Sequence, residues 1–369
     1  MSSEHLASAK NHLKGDLGGS WNILDGASAQ YTDLGIARKF GGSAAAYSLR
    51  DIGAVGKRVV KVRRDVDGDG TDKEEDFSAS QVQSGALEDF VNGKLENVLP
   101  ADVSTAAAAY SLRKVKADYT DDAVRIRRSS DDAEVNVAFD SDNKVSTSSS
   151  ISVVSGTVSG TTLGDFISGT DAFVHTWYDQ AGSNDATQTT SANQPKIAES
   201  GTLLADGIDF DGSSSYLDAT SALGATATVG AFIVHKPDTT DANRYLIDNR
   251  DASNDGMRIM QREESSGNYR VSMDTTEVNS ASGSVTTNET LLTAIQSSTA
   301  LTLFKNSVSQ ATAADDAISV TAAFRIGANR VSLGTYFDGT INEIIMFTSD
   351  KTSDRTDIEN DINNHYSIY

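Results

Sequence analysis

The run Asp65-Val66-Asp67-Gly68-Asp69-Gly70 sets carboxylates at alternate positions with a glycine at the sixth, and Asp76 stands at the twelfth. Oxygen ligands at positions one, three and five, with a glycine that permits a tight bend, are what a calcium loop offers a hard cation. Asp65, Asp67, Asp69 and Asp76 therefore form a candidate calcium site. The twelfth position holds aspartate instead of the usual bidentate glutamate, and the flanks read as strands, so a solvated acidic hairpin turn is the competing expectation. A second cluster is Trp177-Tyr178-Asp179-Gln180, inside the densest aromatic stretch of the chain, residues 173–186. There an apolar strand runs into a turn of Asp, Gln, Gly and Asn, and an aspartate at such a junction fixes the turn by accepting backbone N–H bonds. Two arginine pairs, Arg63-Arg64 and Arg127-Arg128, end strands. A guanidinium fork there could take a carboxylate or sulfate from a partner, but local Asp and Glu are the expected partners in so acidic a chain.

Other chemistries are excluded by residue type. The chain has no cysteine, which removes disulfides, thiolate nucleophiles and Cys-based zinc sites. His5, His12, His175, His235 and His365 form no ligand-spaced cluster, and there is neither a phosphate-cradling glycine loop nor a serine in a nucleophile elbow. The formal net charge is -21, with the acidic excess spread over both halves. A field of that sign repels phosphate backbones and anionic lipid, so neither nucleic acid nor membrane is an expected partner. No apolar run approaches the ~20 residues of a membrane-spanning helix, and the first residues lack the apolar core of a secretory signal. The expectation is a soluble chain assembled in a cytoplasm, with a sizeable core at 369 residues and no cofactor required beyond the candidate calcium.

The elements that must position these residues are organised around a duplication. AAAYSLR occurs at 44–50 and again at 107–113. Val59–Arg64 is echoed by Ala123–Arg128, and Leu87–Gly93 by Leu163–Gly169, so one unit of roughly 50–60 residues is used twice. Alternation of apolar and polar residues in both copies predicts antiparallel strands joined by polar turns. Only the second copy continues into Trp177-Tyr178-Asp179-Gln180. Residues 140–170, rich in Ser, Thr and Gly, read as exposed β-structure or a long loop and not as a helix. From about 203 onward short strands alternate with turns: Ile208–Gly212, Tyr216-Leu217, Ala231–Val234, Tyr269–Met273, Leu291–Ile295, Leu301–Phe304, Phe324–Gly327 and Ile341–Phe347. Strands of this length and spacing predict an antiparallel β-sandwich. A closing helix is predicted, capped by Thr352 or Ser353, favoured by Asp354 and Asp357 near its N-terminus, and packing through Ile358, Ile362 and Tyr366. A short amphipathic helix is read over residues 1–20. The resulting division is 1–43, an N-terminal docking segment; 44–106, the first β module; 107–195, the second module leading into the sandwich; and 196–369, the sandwich itself.

Three stretches carry a resemblance. AAYSLRKV, then AVRIRRSSDDAEVNVAF, then FVHTWYDQAGSNDATQ with QPKI resembles a segment of proteins related to the catalytic domain of α-L-arabinofuranosidase B, a concanavalin A-like sandwich. The second half, with GIDFDGSSSYL, LTLFKNSV, FRIGANR and YFDGTINEIIMF, resembles a laminin-G-like or concanavalin A-like jelly roll. Arg127, Arg128, Trp177, Tyr178, Asp179 and Gln180 are the residues of this chain that fall in the family motif, and they read as structural. The same combination is familiar in tail, fibre and other virion proteins of phages. The resemblance thus implies an all-β structural protein of a virion, such as a fibre, tail or capsid-decoration component. It would work among other virion proteins as a homo-oligomer, with a trimer the expectation, and its jelly roll would bind host surface glycan. A lectin module outside any virion is the alternative, followed by an arabinofuranoside hydrolase. Retaining hydrolysis needs two carboxyl groups about 5 Å apart, one of them held protonated. The family's adjacent cysteines at the sugar site have no counterpart here, so no catalytic residue is assigned. No sugar-contacting residue is assigned either, because sandwich loops bring their side chains together only in three dimensions.

Overall fold

The computed structural model describes residues 105–369 apart from 117, 205–206, 225–227, 241, 254, 263–266 and 316–321, together with the strands Arg58–Arg64 and Lys73–Ser78. Two compact units divide the chain, Met1–Leu95 and Glu96–Tyr369. In the first, Arg58–Arg64 pairs antiparallel with Lys73–Ser78, and Arg63 lies opposite Glu74. The corresponding residues of the second copy make the same hairpin: Val124–Arg128 pairs with Glu134–Val137, and Arg127 lies opposite Glu134. Asp76 sits on the second strand of the first hairpin, opposite Lys61. Asp65, Asp67 and Asp69, the first AAAYSLR block and the helix read over residues 1–20 lie outside the described residues.

The second unit is an antiparallel β-sandwich to which residues 107–195 and 196–369 both contribute strands. One sheet runs Val308–Ala314, Ala300–Lys305, Thr290–Gln296, Val229–Pro237, Asp338–Phe347. The long strand Asp338–Phe347 shifts register opposite Val234 and His235, and its two halves have different outer neighbours. Ile208–Asp211 pairs with the first half and Ala108–Ser111 with the second. The other sheet runs Ile151–Ser155, Glu134–Val137, Val124–Arg128, Ala172–Trp177, Ala186–Thr187, Leu217–Ala222, Ala323–Ile326, Arg244–Asp248, Met257–Arg262, Asn268–Met273, Thr276–Asn279. Lys196–Glu199 joins the two, since it pairs with Ala172–Trp177 on one side and Ile208–Asp211 on the other.

The central strands of the first sheet, Thr290–Gln296, Val229–Pro237 and Asp338–Phe347, are buried on both faces and read as largely apolar runs, whereas Val308–Ala314 at its edge is mostly exposed. Along Val229–Pro237, Ala231 and Ile233 enter the core between the sheets while Phe232 and Val234 enter a second core behind them. That second core is closed by the C-terminal helix Arg355–Tyr366, whose Ile358 and Ile362 are buried in it with Phe347, Ile345 and Leu291. The helix begins one residue later than its predicted caps allow. Asp354 occupies the cap position with no side-chain hydrogen bond to the helix, and Thr352 is instead held by the Asp350 carboxylate. Residues 140–170 also differ from expectation. Ile151–Ser155 is the exposed edge strand the composition implies, but Leu163–Ile167 is a single helical turn. A capping box explains it: the Thr162 hydroxyl accepts the Asp165 N–H while the Asp165 carboxylate accepts the Thr162 N–H, enough to fix one turn that buries Leu163, Phe166 and Ile167.

The second AAAYSLR block is the strand that ties these layers together. Tyr110 is fully buried, with its ring 5.8 Å from those of Trp177 and Phe324. Ser111 and Arg113 point to the other side, toward Glu343 in the middle of Asp338–Phe347. Arg113 donates from Nε to Glu343 Oε2 at 2.7 Å and from Nη2 to Oε1 at 2.7 Å, Ser111 Oγ donates at 2.8 Å, and the Tyr366 hydroxyl at 3.2 Å. The pair is buried, with side-chain exposures of 2% and 0%. Removing one member of a buried, fully hydrogen-bonded ion pair strands the other charge, at a cost of about 3–5 kcal/mol. Arg113→Met is expected to lose that much stability in urea unfolding, and the double variant Arg113→Met with Glu343→Leu to recover part of it; strictly additive losses would show that the two side chains do not act as a pair.

Candidate functional site

Because successive side chains on a strand point to opposite faces, strand register decides which residues share a surface. Following the pairings across the second sheet, one row consists of Ser152, Asn136, Arg125, Thr176, Thr187, Asp218, Arg325, Asp248, Arg258, Ser272 and Glu277. Every member is polar. Adjacent rows are apolar and buried: Val137, Val124, Trp177, Ala186 and Ala219 at one end, and Leu217, Ile326, Ile247, Ile259, Val271 and Val278 at the other. The sheet therefore turns its apolar face to the core and presents a continuous polar row on the opposite face.

The charged members alternate in sign from strand to strand, Asp218, Arg325, Asp248, Arg258, and this is the cross-strand arrangement that stabilises a sheet. Arg325 grips Asp218 with two hydrogen bonds, Nε to Oδ1 at 2.7 Å and Nη2 to Oδ2 at 2.9 Å, and its guanidinium carbon lies 4.3 Å from the centre of the Tyr216 ring. Asp248 is fully buried. It accepts the Arg250 N–H at 3.1 Å, Arg250 Nε at 2.9 Å, Arg250 Nη2 at 2.8 Å and the Arg330 N–H at 2.9 Å. Arg250 Nη2 reaches on to the Tyr245 hydroxyl at 3.3 Å. Arg258 pairs with Glu277, which also accepts from Arg270 at 3.0 Å. Beside this network Tyr216 and Tyr336 are half-buried with ring centres 6.5 Å apart, and Arg244 ties their segments together by donating to the Gly212 and Tyr336 carbonyls at 2.9 and 3.0 Å.

Two glycines hold the backbone that carries this cluster. Gly256 has φ +128°, and a Cβ there would lie 2.8 Å from the Asn249 carbonyl oxygen; Gly327 has φ +83°, and a Cβ there would overlap the Phe210 ring. Both positions need glycine for conformation and for close approach. The first keeps the Asp248–Arg250 turn against the start of Met257–Arg262. The second lets the chain leave Ala323–Ile326 and swing into the Asn329-Arg330 loop.

The residues singled out in the sequence fall elsewhere. Trp177 is in the core. Asp179 Oδ1 accepts the Ala109 and Ala181 N–H groups at 2.8 and 2.9 Å, and Oδ2 accepts that of Asn184 at 3.1 Å. Gln180 accepts the Val115 N–H and donates to the Ser111 and Arg113 carbonyls. These two side chains clamp Ala108–Ser111 and the residues that follow it to the turn. Arg127 bonds Asp132 and Gln194, and Arg128 bonds Asp131 with its guanidinium over the Phe166 ring. Tyr178 alone reaches the polar row, donating to Asn136 Oδ1 at 2.9 Å. His235 is buried against Tyr269, with 3.1 Å between Nε2 and the hydroxyl. Arg244, Asp248 and Arg250 escape a reading of the sequence because the strands Arg244–Asp248 and Met257–Arg262 are not among those it predicts. The available signal was the apolar run Tyr245-Leu246-Ile247 between charged ends and the alternation in Met257-Arg258-Ile259.

Among the described residues no group of three His, Asp or Glu side chains converges as a metal site. Carboxylates do gather where Ile208–Asp211, Lys196–Glu199 and Asp338–Phe347 meet. Burial pushes the Asp209 carboxyl up to about 6, helped by the negative charges of Asp238, Asp211 and Asp338 and opposed by Lys196.

No protein-family model matches the chain, and no curated protein sequence matches it. Solved structures share its fold. A GH54 α-L-arabinofuranosidase soaked with a cyclic sulfate inhibitor aligns with a TM-score of 0.51 at 15% identity, over 70% of this chain and 62% of that one. A point variant of a GH54 arabinofuranosidase soaked with 4-nitrophenyl α-L-arabinofuranoside aligns with a TM-score of 0.50 at 14% identity, over the same shares. The chain thus spans about three fifths of the length of these enzymes. The carbohydrate-binding module CBM40 of the Ruminococcus gnavus IT-sialidase, bound to α2,3-sialyllactose, aligns over 36% of this chain and 82% of that one, with 12% identity and a TM-score of 0.31. At these identities the likeness to the arabinofuranosidases is one of fold, and it agrees with the sandwich read from the sequence.

The raised Asp209 carboxyl has a measurable consequence. A folded-state value above that of the unfolded chain favours folding at low pH, below about pH 4, and that contribution is lost as pH rises through 6. Asp209→Asn, which keeps the uncharged form, is expected to melt at a higher temperature than the parent at pH 7.5, with the difference closing by pH 4. Equal melting temperatures at both pH values would remove Asp209 from the list of perturbed groups.

Proposed function

We propose that the sandwich is a carbohydrate-binding module and that the sugar lies on the middle of the polar row, beside Tyr216, Tyr336, Arg325 and Asn329. The observation that carries this reading is the combination of half-buried tyrosine rings with a rigid, outward-facing set of hydrogen-bonding groups. Flat apolar rings suit the C–H faces of a pyranose or furanose, and fixed donors and acceptors suit its hydroxyls. The shared fold with carbohydrate-active enzymes supports the same reading.

Binding without hydrolysis fits the carboxylates. Asp218, Asp248 and Glu277, the acidic members of the row, are each held by arginine, so none of them is placed to hand a proton to a leaving group. For the setting we propose a virion surface, where the module would recognise host glycan as a fibre, tail or decoration component built as a homo-oligomer. The support is the duplicated module joined to a sandwich, together with the resemblance of this combination of segments to virion proteins of phages. Mass spectrometry of purified particles tests the setting, and absence from the particle would sink it.

For the site itself, a glycan array followed by calorimetry on the best ligand is the test. Tyr216→Ala is expected to weaken binding about tenfold, a loss of about 1.4 kcal/mol, with the melting temperature little changed. Failure of the intact chain to bind any glycan would overturn the reading.

A further inference from the structure

In a chain with 52 acidic and 31 basic residues, arginines find carboxylates easily. The described arginine side chains follow this rule, Arg125 with Glu134 and Arg325 with Asp218 among them, with one exception. The exception is Arg330. Its backbone N–H is taken by Asp248, and its Nη1 donates to the Arg250 carbonyl at 2.8 Å. Among the described residues no acceptor engages its Nε or Nη2. The nearby negative charges are already committed. Both oxygens of Asp248 are engaged by Arg250, and Asp251 turns into its own loop, where Oδ1 accepts the Ser253 and Asp255 N–H groups at 2.7 and 3.1 Å.

Arg330 is also held in place. The hydrogen bonds at its backbone N–H and its Nη1 anchor both ends of the side chain, so a fork of two donors is fixed before any ligand arrives, which lowers the entropy lost on binding. Asn329 fixes the following loop by accepting the Val331 and Ser332 N–H groups, and this leaves Val331 and Leu333 exposed at 40% and 53%. A planar guanidinium beside an exposed apolar rim is suited to a ligand that carries both a charge and C–H faces.

We propose that the glycan bound at this face is acidic and that Arg330 clamps its anionic group, a carboxylate or a sulfate ester, through Nε and Nη2. This rests on the carbohydrate-binding reading above. The overall negative field of the protein repels a long polyanion, so the ligand is a short acidic segment or a chain end.

Calorimetry with two matched pairs of oligosaccharides tests the inference: oligogalacturonate against its methyl ester, and a sulfated galactan oligosaccharide against its desulfated form. The acidic member of at least one pair is expected to bind tenfold or more tightly than its neutral partner, and the pair that shows it identifies the group. Arg330→Gln is expected to abolish the preference while leaving binding of the neutral sugar unchanged, and Arg330→Lys to restore only part of it, because an ammonium cannot form the two parallel bonds. If neutral and acidic members bind equally, Arg330 has no such role and the carbohydrate reading survives. If the preference persists in Arg330→Gln, the anion is held elsewhere. If no sugar binds, both readings fall.

Discussion

Much of the second unit depends on one buried carboxylate. Glu343 sits in the middle of the strand that borders both Ile208–Asp211 and Ala108–Ser111, and it collects hydrogen bonds from Ser111, Arg113 and Tyr366. Those donors come from a strand near residue 110 and from the final helix, so the carboxylate joins segments more than two hundred residues apart in sequence. An unpaired charge in that position would be far too costly to keep. Its presence therefore requires the strand and the helix to dock together, which specifies one arrangement over its near alternatives.

With that strand docked, the two sheets divide their work. The central strands of the first are buried on both faces and serve as the inner wall against which the second sheet and the closing helix pack. The second keeps one face free. Its polar row is held in register by the apolar rows on either side, since a slip of one residue would turn Arg325 and Asp248 into the apolar core and Ile326 and Ile247 out of it. The polar row is thus positioned by core packing, and Tyr216, Asn329 and Tyr336 are set beside it by the segments that adjoin its strands. Groups carried on paired strands move less than groups on free loops, and a binding surface gains from that, because less freedom is lost when a ligand arrives.

The sequence revealed the sandwich, the duplication and the closing helix because each rests on local periodicity. Val124–Arg128 and its echo at Arg58–Arg64 alternate cleanly, and both are strands. Where alternation is interrupted by charge, reading fails. Arg244–Asp248 and Met257–Arg262 carry arginine, aspartate and glutamine among their apolar residues and flank the Asp- and Asn-rich 249–256 turn, so they resemble loop. The polar residues are there because one face of the strand is the candidate site. The short helix Leu163–Ile167 was hidden for another reason, since a capping box decided the conformation against a composition of Ser, Thr and Gly. Trp177-Tyr178-Asp179-Gln180 is conspicuous in sequence, and its Asp179 and Gln180 side chains make specific backbone hydrogen bonds. Specificity of that kind marks a structural clamp as readily as a site.

Electrostatics then separates binding from chemistry. An excess of acidic residues lets nearly every described arginine settle on a carboxylate, and in doing so it occupies the carboxylates of the polar row. Such a surface recognises a ligand through the groups left over: hydroxyl and amide side chains, tyrosine rings, and a guanidinium with donors to spare. A hydrolase on the same sheet would need the opposite arrangement, with a carboxyl shielded from cations so that it stays protonated and a second one free to attack or to activate water. The carboxyl pushed furthest in that direction, Asp209, lies at the corner where the sheets join and not in the row. Fold and chemistry are therefore separable on this scaffold: the strands of the polar row carry paired charges, and under the carbohydrate-binding proposal what they would offer a sugar is a fixed surface to rest on.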